Sequence, residues 1–508
     1  MLNSKKIHVL KRYGLFLILV FVLLSLGSMT SYLFLYHNRV DQNCFFTVGR
    51  GMLDGLIPYR DLVEQKGPLL YFLHAAAAWI SYDSFIGVFV FQIFFLFIFI
   101  IYCDRIARLY LPSKLAFIAA SLCTLVIIIS NCYLRGDNAE EFCMPLLMIG
   151  LYAVLRYLHQ EESKQLNYLT LFINGFLAGC VLWIKFTLLG FWGAWYLLIM
   201  IHALKKRDYR YFATGTLSFL GGMALVFVPI GFYFGYHDAL KDLFQVYFYD
   251  NIYLYTKETF LLGKILHVLV TVIFNIGLNP LLMAGILYFV WKRKQSPVVF
   301  NSKEQHAVMW LFCVLYIGLY FGGTYYDYYF LIASPFVLCG IILFVSKYVL
   351  KYDCFTKEKQ RKTKWFAMAV CCAALLLMGN CFPYFFIPKE NYPQYQFAKI
   401  MKETKQPTLL NYGFLDGGFY LSSQTKPPNK FFCELNIPEA KLPEMYESHR
   451  NLVRKGQVDY VVTRVGIYES VKDIPDYEIF NQYELVGEAT NWPDFYRYYL
   501  FKHKVASR

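Results

Sequence analysis

The stretch that decides the fold runs Asn38-Arg-Val-Asp41-Gln-Asn-Cys-Phe-Phe-Thr-Val-Gly-Arg50-Gly-Met-Leu-Asp54-Gly-Leu-Ile-Pro58-Tyr-Arg-Asp61-Leu-Val-Glu64-Gln-Lys66-Gly-Pro68-Leu-Leu-Tyr71. A plain connector takes only about 2–6 residues. This one has about 30, crowded with ionisable side chains, Gly and Pro. An apolar run, 14–36, precedes it, and another, 84–103, follows. About 20 apolar residues are needed to cross ~30 Å of hydrocarbon. The first run is long enough and follows Lys5, Lys6, Lys11 and Arg12. It is too long for a signal-peptide core and has no small-residue cleavage site after it, so it reads as an uncleaved span with its N-terminus inside. The run 69–80 is too short to cross and reads as a helix on, or dipping into, the outer face.

Further spans are expected near 112–130, 140–158, 167–186, 187–204, 211–235, 265–291, 307–323, 330–347 and 365–383, about eleven in all. The composition agrees. Apolar residues make up 57% and charged residues 17% of the 508, and aromatics reach 19%; a soluble domain has about 25% charged residues. A cytosolic enzyme, a disordered chain and a nucleic-acid binder are excluded together. The net charge of +14 follows from loading of the inside loops with Lys and Arg, as at Lys205, Lys206, Arg207 and Arg210, or Lys357 to Lys364. The 13 cysteines form no CxxC, and most lie in apolar runs, which points to neither a disulfide framework nor a zinc site. After Phe382 the texture turns polar and Pro-punctuated. The expected organisation is a transmembrane domain, 1–383, with a catalytic outer loop, 37–68, and a small α/β domain, 384–508, outside.

Phe45, Phe46, Gly49 and Met52 recur at helical spacing, so a short amphipathic helix begins just after Asp41. Asp41 either caps that helix or serves chemistry. Arg50, Arg60 and Lys66 contact lipid headgroups, pair with Asp54, Asp61 or Glu64, or meet an anionic substrate. A second outside loop, Asn131 to Phe142, crowds Arg135, Asp137, Glu140 and Glu141 between two spans; carboxylates that open a helix also gain from its dipole. Lys185 stands at the end of an apolar run, where an ionisable residue is a functional candidate by default and snorkelling is the bland alternative. Tyr325, Tyr326, Tyr328 and Tyr329 fit an interfacial belt. The loop 237–260, rich in Tyr and Phe, fits a surface-lying amphipathic helix or a sugar-stacking face.

The order of Asp41, short helix, Gly55-x-x-Pro58-Tyr59, Gly67-Pro68-Leu69-x-Tyr71, helix and next span resembles the membrane glycosyltransferases of the C-type fold. It is most similar to the family-39-like group of protein O-mannosyltransferases and lipid A aminoarabinose transferases. The resemblance covers roughly residues 10–345 and is concentrated in the Asp41 to Tyr71 loop. Many relatives carry Asp-Glu where this chain has Asp41-Gln42, and His or Tyr where it has Lys66-Gly67. The resemblance implies a polyprenyl-phosphate sugar donor and a single inverting displacement with Asp41 as base. It implies a second acidic residue facing Asp41; Asp137, Glu140 and Glu141 compete for that place, with Asp137 and Glu140 preferred. It gives Lys66, Arg60 and Arg50 to the leaving phosphate, with Tyr59, Lys185 and Tyr328 as further substrate contacts. Asp327 stands where relatives often hold Arg or His.

The acceptor expected is a surface glycopolymer, lipid or protein. A Phe-, Tyr-, Lys- and Ile-rich chain hints at an AT-rich bacterium, its plasma membrane and a wall polymer such as teichoic acid. No cofactor and no closed metal site are expected, though a carboxylate pair leaves room for a divalent cation in an open site. A transporter or flippase of lipid-linked saccharides is the alternative; it would place ionisable groups at mid-membrane in two repeated halves, and no such repeat is present.

Overall fold

The computed structural model describes residues 4–159, 165–256, 260–295, 299–348, 379–474 and 478–504, with 368, 369 and 373 between them. The expected span 365–383 and the basic run 357–364 lie largely or wholly outside the described residues. The chain divides into two units. One is built from 1–28, 91–230 and 257–382, the other from 29–90, 231–256 and 383–508.

The first unit is helical. It takes α1 (Ser4–Gly27), most of α4 (Ile86–Tyr110), α5 (Ser113–Ile128), α6 (Ala139–His159), α7 (Tyr168–Lys185), α8 (Gly190–Lys205), most of α9 (Tyr209–Tyr236), α11 (Leu261–Leu278), α12 (Pro280–Lys292), α13 (Ser302–Tyr320) and α14 (Ser334–Tyr348). Among the described residues of the whole chain, seven helical stretches are long and apolar enough to cross a membrane, and Ser113–Ile128 and Pro280–Lys292, with Pro68–Ile80 of the second unit, are shorter apolar helices. Apolar side chains gain little from one another in lipid, so close backbone approach holds helices together there. A Cβ on Gly340 of α14 would lie 1.9 Å from the Gly285 carbonyl oxygen of α12, so only glycine permits this crossing.

Two helix ends differ from expectation. The first helix stops at Gly27 rather than running to Tyr36. A Cβ on Gly27 would sit 2.3 Å from Ile128, the Ser28 amide makes the last helical bond to the Leu24 carbonyl at 3.0 Å, and the Ser28 hydroxyl donates to Gln92 Oε1 at 3.0 Å. The single span expected at 265–291 is two helices. Pro280 opens α12 at its first position, where its missing N–H is no loss, and Asn279 Oδ1 accepts instead from the Cys132 amide at 2.9 Å.

The second unit contains α2 (Val40–Leu53), α3 (Pro68–Ile80), α10 (Leu240–Phe244) with a π-helix over Gln245–Leu254, and the C-terminal elements. The latter comprise α15 (Pro393–Met401), β1 (Leu409–Asn411), α16 (Phe419–Ser423), α17 (Pro443–Arg454), β2 (Tyr460–Gly466), α18 (Ile479–Gln482), β3 (Tyr483–Asn491) and β4 (Tyr496–His503). The sheet order is β1-β2-β4-β3; β1 runs parallel to β2 and the other pairs are antiparallel. Leu410, Val453, Val461, Ile479 and Phe501 fill the core between sheet and helices. The C-terminal stretch thus holds the small sheet with packed helices that the fold class implies. Packed in the same unit are α2 and α3, which cross where a Cβ on Gly49 would lie 2.6 Å from the His74 carbonyl carbon.

Candidate functional site

In the second unit Asp41 is the second residue of α2, whose N-cap is Arg39, so the carboxylate lies in the first turn rather than at the cap. Its Oδ2 stands 3.9 Å from Lys66 Nζ, and Lys66 Nζ is 3.7 Å from Glu64 Oε1 and 5.2 Å from the centre of the Phe45 ring. Asp41 and Lys66 keep 22% and 17% of their side-chain surface exposed, whereas Glu64 keeps 4%. Lys66 is held through its backbone. Its amide donates to Glu64 Oε2 at 2.9 Å, its carbonyl accepts from the Tyr59 hydroxyl at 2.7 Å, and Tyr71 bonds the same Glu64 oxygen. Tyr59 itself sits at φ 69°, a left-handed conformation costing a non-glycine residue about 1–2 kcal/mol. Gly67 and Pro68 then open α3. Gly67-Pro68 thus makes one half of the clamp on Lys66; the Glu64, Tyr59 and Tyr71 side chains make the other.

The remaining loop cations point elsewhere. Arg50 is buried, with its guanidinium 4.4 Å over the Tyr82 ring and Nη1 donating to the Tyr420 carbonyl at 3.4 Å. Arg60 grips the adjacent Asp61 through Nε and Nη2 and donates from Nη1 to the His237 carbonyl. The Arg60–Asp61 hydrogen bond holds the Asp61 carboxyl below its ordinary range.

Two carboxylates from the C-terminal stretch reach α2 and its approach. Asp416 Oδ2 accepts from the Thr47 hydroxyl at 2.6 Å and its Oδ1 from the Gly418 amide at 2.8 Å. Burial pushes its pKa up to about 6. Asp494 accepts from Asn38 at 2.6 and 2.8 Å, from the Tyr384 hydroxyl at 2.7 Å and from Asn491 at 2.6 Å. Sequence reasoning missed both, because Thr47 and Asp416 are 369 residues apart, Asn38 and Asp494 456, and no local pattern links them.

In the first unit, Leu134, Arg135, Gly136 and Asp137 are four consecutive left-handed residues, at φ 44°, 73°, 85° and 61°. This corkscrew delivers the Asp137 amide to Glu141 Oε2 at 2.7 Å. Glu141 also accepts from Gln92 and from the Tyr133 hydroxyl, each at 2.8 Å. Three donors occupy Glu141 as an internal brace. Glu140 turns the other way and pairs with Lys185 Nζ at 2.5 Å, with Glu140 at 0% and Lys185 at 9% side-chain exposure. The α7 helix breaks at Lys185, whose backbone is extended at φ −158° and ψ 94°. That break swings the ammonium inward, 3.7 Å from the centre of the Tyr329 ring and 5.4 Å from that of Tyr328. Lys185 is thus paired and capped by aromatic faces rather than snorkelling. Among the described residues, no three His, Cys, Asp or Glu side chains come together as a metal site.

No protein-family model matches the sequence, and none of the curated proteins does. Solved structures do. ArnT from Cupriavidus metallidurans in its apo state aligns with a TM-score of 0.61 at 11% identity, covering 98% of this chain and 98% of that one. The same protein bound to undecaprenyl phosphate gives 0.60 at 11% identity over 99% of both chains. AglB, the oligosaccharyltransferase of Archaeoglobus fulgidus, gives 0.48 at 13% identity over 90% of this chain and 69% of its own. The chain has the C-type glycosyltransferase fold that ArnT displays.

Proposed function

We propose that this protein is a membrane glycosyltransferase that moves a sugar from a polyprenyl-phosphate donor to an acceptor hydroxyl, with Asp41 as base. The observation that carries the reading is the partly exposed Asp41 carboxylate beside the clamped Lys66 ammonium. A base must come within about 2.6–3.2 Å of the proton donor, and Asp41 is open to such an approach. Its carboxylate takes the acceptor proton as the acceptor oxygen bonds the anomeric carbon. The bond from that carbon to the phosphate oxygen breaks, and its electron pair leaves on the phosphate. Lys66 offsets that charge where water is scarce and a cation counts for more than in bulk. The displacement is single and inverting. The lipid-phosphate donor is supported by the fold shared with ArnT, whose solved structure holds undecaprenyl phosphate.

Our reading places the chain in the plasma membrane of a bacterium, with the N-terminus cytoplasmic, residues 384–508 outside and a surface glycopolymer as acceptor. Arg50 and Arg60 are left out of the phosphate site, since both are engaged elsewhere. The test is a deletion strain whose surface glycans are analysed for one missing sugar. Wild type restores that sugar and Asp41→Asn, equally expressed, does not; restoration by Asp41→Asn overturns the reading. A label at Ser423 that reads cytoplasmic overturns the orientation.

A further inference from the structure

The second unit carries a band of exposed aromatic and aliphatic side chains that its own core leaves uncovered. Phe386 is 75% exposed, Tyr468 89%, Trp492 66% and Phe495 62%; Tyr32 and Leu35 add 57% and 46%. These belong to separated stretches of chain, which hydrogen bonds and ring contacts between their neighbours hold together. Tyr395 donates to the Leu35 carbonyl at 3.0 Å, and the Phe34 ring lies 4.7 Å from that of Phe385. Next to these, Asp494 holds Asn38 and Tyr384. The Phe495 carbonyl accepts from the Ile467 amide at 3.0 Å, which sets Tyr468 beside it. Trp492 and Phe495 form the tip of the β3–β4 hairpin, and Phe495 adopts φ 57° there. An aromatic residue forced into a left-handed turn and left facing outward contributes nothing to the core. A soluble surface rarely keeps so large an apolar patch without a partner.

We infer that this band rests in the headgroup layer of the lipid bilayer, with the β3–β4 tip as its deepest point. Chain reach places it there. Tyr32 follows the end of the apolar helix α1 by five residues, and an extended chain covers at most ~3.6 Å per residue, so Tyr32 lies within about 18 Å of that helix end. Phe386 follows the apolar run 365–383 by three residues. Trp and Tyr are the side chains that favour this layer, with an apolar body and one polar atom. The Asp494 clamp makes the tip rigid, so it enters the interface without ordering on arrival.

The test uses the full protein in nanodiscs. The emission of Trp492 is taken as the difference between wild type and Trp492→Phe, with matched unfolding temperatures showing that the fold is kept. Lipids brominated near the headgroup should quench most of that difference emission, and aqueous iodide should quench little of it. Quenching by iodide but not by brominated lipid leaves the tip in water and overturns the inference. Protection from both quenchers means that a protein surface, a second copy or another partner, covers the band, and overturns it too. A Tyr468→Ser/Phe495→Ser variant that keeps its fold should move Trp492 toward iodide access; an unchanged pattern in that variant refutes the role of the band.

Discussion

Replacing Lys185 by Met leaves Glu140 as a lone charge in a site where its side chain has no exposed surface. One of its oxygens, Oε2, has no hydrogen-bond partner among the described residues, so Lys185 is its main compensation. Removing one member of a buried ion pair costs about 3–5 kcal/mol, whereas replacing both by neutral groups of similar volume is close to neutral. Lys185→Met and Glu140→Gln should each lose stability of that order. The Lys185→Met/Glu140→Gln double variant should return to within about 1 kcal/mol of wild type, a coupling far above the ~0.5 kcal/mol additivity error of distant sites. Thermal unfolding in nanodiscs at fixed lipid composition reads all four corners of the cycle. Turnover of the double variant should recover with its stability, because the pair keeps no spare charge for a substrate. A double variant as unstable as its two parents summed would refute the reasoning.

Lys66→Ala should lower turnover by about 10²–10³-fold, the usual loss of one preorganised stabiliser of developing charge, and Lys66→Arg should keep part of it; wild-type turnover in both would pass the phosphate to another cation. Asp416, raised from 3.8 to about 6, binds its proton more tightly folded than unfolded. Its contribution to stability is therefore full below about pH 4 and is lost as pH rises through about 6, by up to about 3 kcal/mol at 1.36 kcal/mol per unit. Asp416→Asn should flatten that part of the unfolding profile, and an unaltered slope would remove Asp416 as its source. Gly340→Ala puts a Cβ 1.9 Å from the Gly285 carbonyl oxygen unless the two backbones move apart, which should cost about 1–3 kcal/mol as overpacking does, while Gly193→Ala, with open space around it, should be silent in the same melt.

The sequence made the solvent legible before any element was placed, because a chain with 57% apolar residues has lipid as its only consistent medium. It also made α2 legible, since Phe45, Phe46, Gly49 and Met52 follow a 3.6-residue period. The break before α12 was written in Asn279-Pro280 and overlooked because the hydropathy runs straight through it. The end of α1 was hidden for the opposite reason. Nothing in the apolar run after Gly27 announces a stop, and the contacts made where it ends are with Ile128 and Gln92, residues remote in sequence. The loop cations show the limit of reasoning from charge alone. Arg50, Arg60 and Lys66 look alike on paper, and only their neighbours separate an arginine stacked on Tyr82 from a lysine beside Asp41.

The Asn38–Asp494 contact has a consequence for how the protein comes into being. Its partners are 456 residues apart, and ribosomes add about 5–20 residues per second, so roughly 20–90 s pass between the emergence of one and the other. Through that interval the segment leading into Asp41 lacks its Asp494 contact, and Thr47 waits almost as long for Asp416. A nascent chain, or one cut short before Asp416, therefore carries every residue of the Asp41–Lys66 loop without the Asp416 and Asp494 contacts. The last residues made therefore set when the first ones are framed.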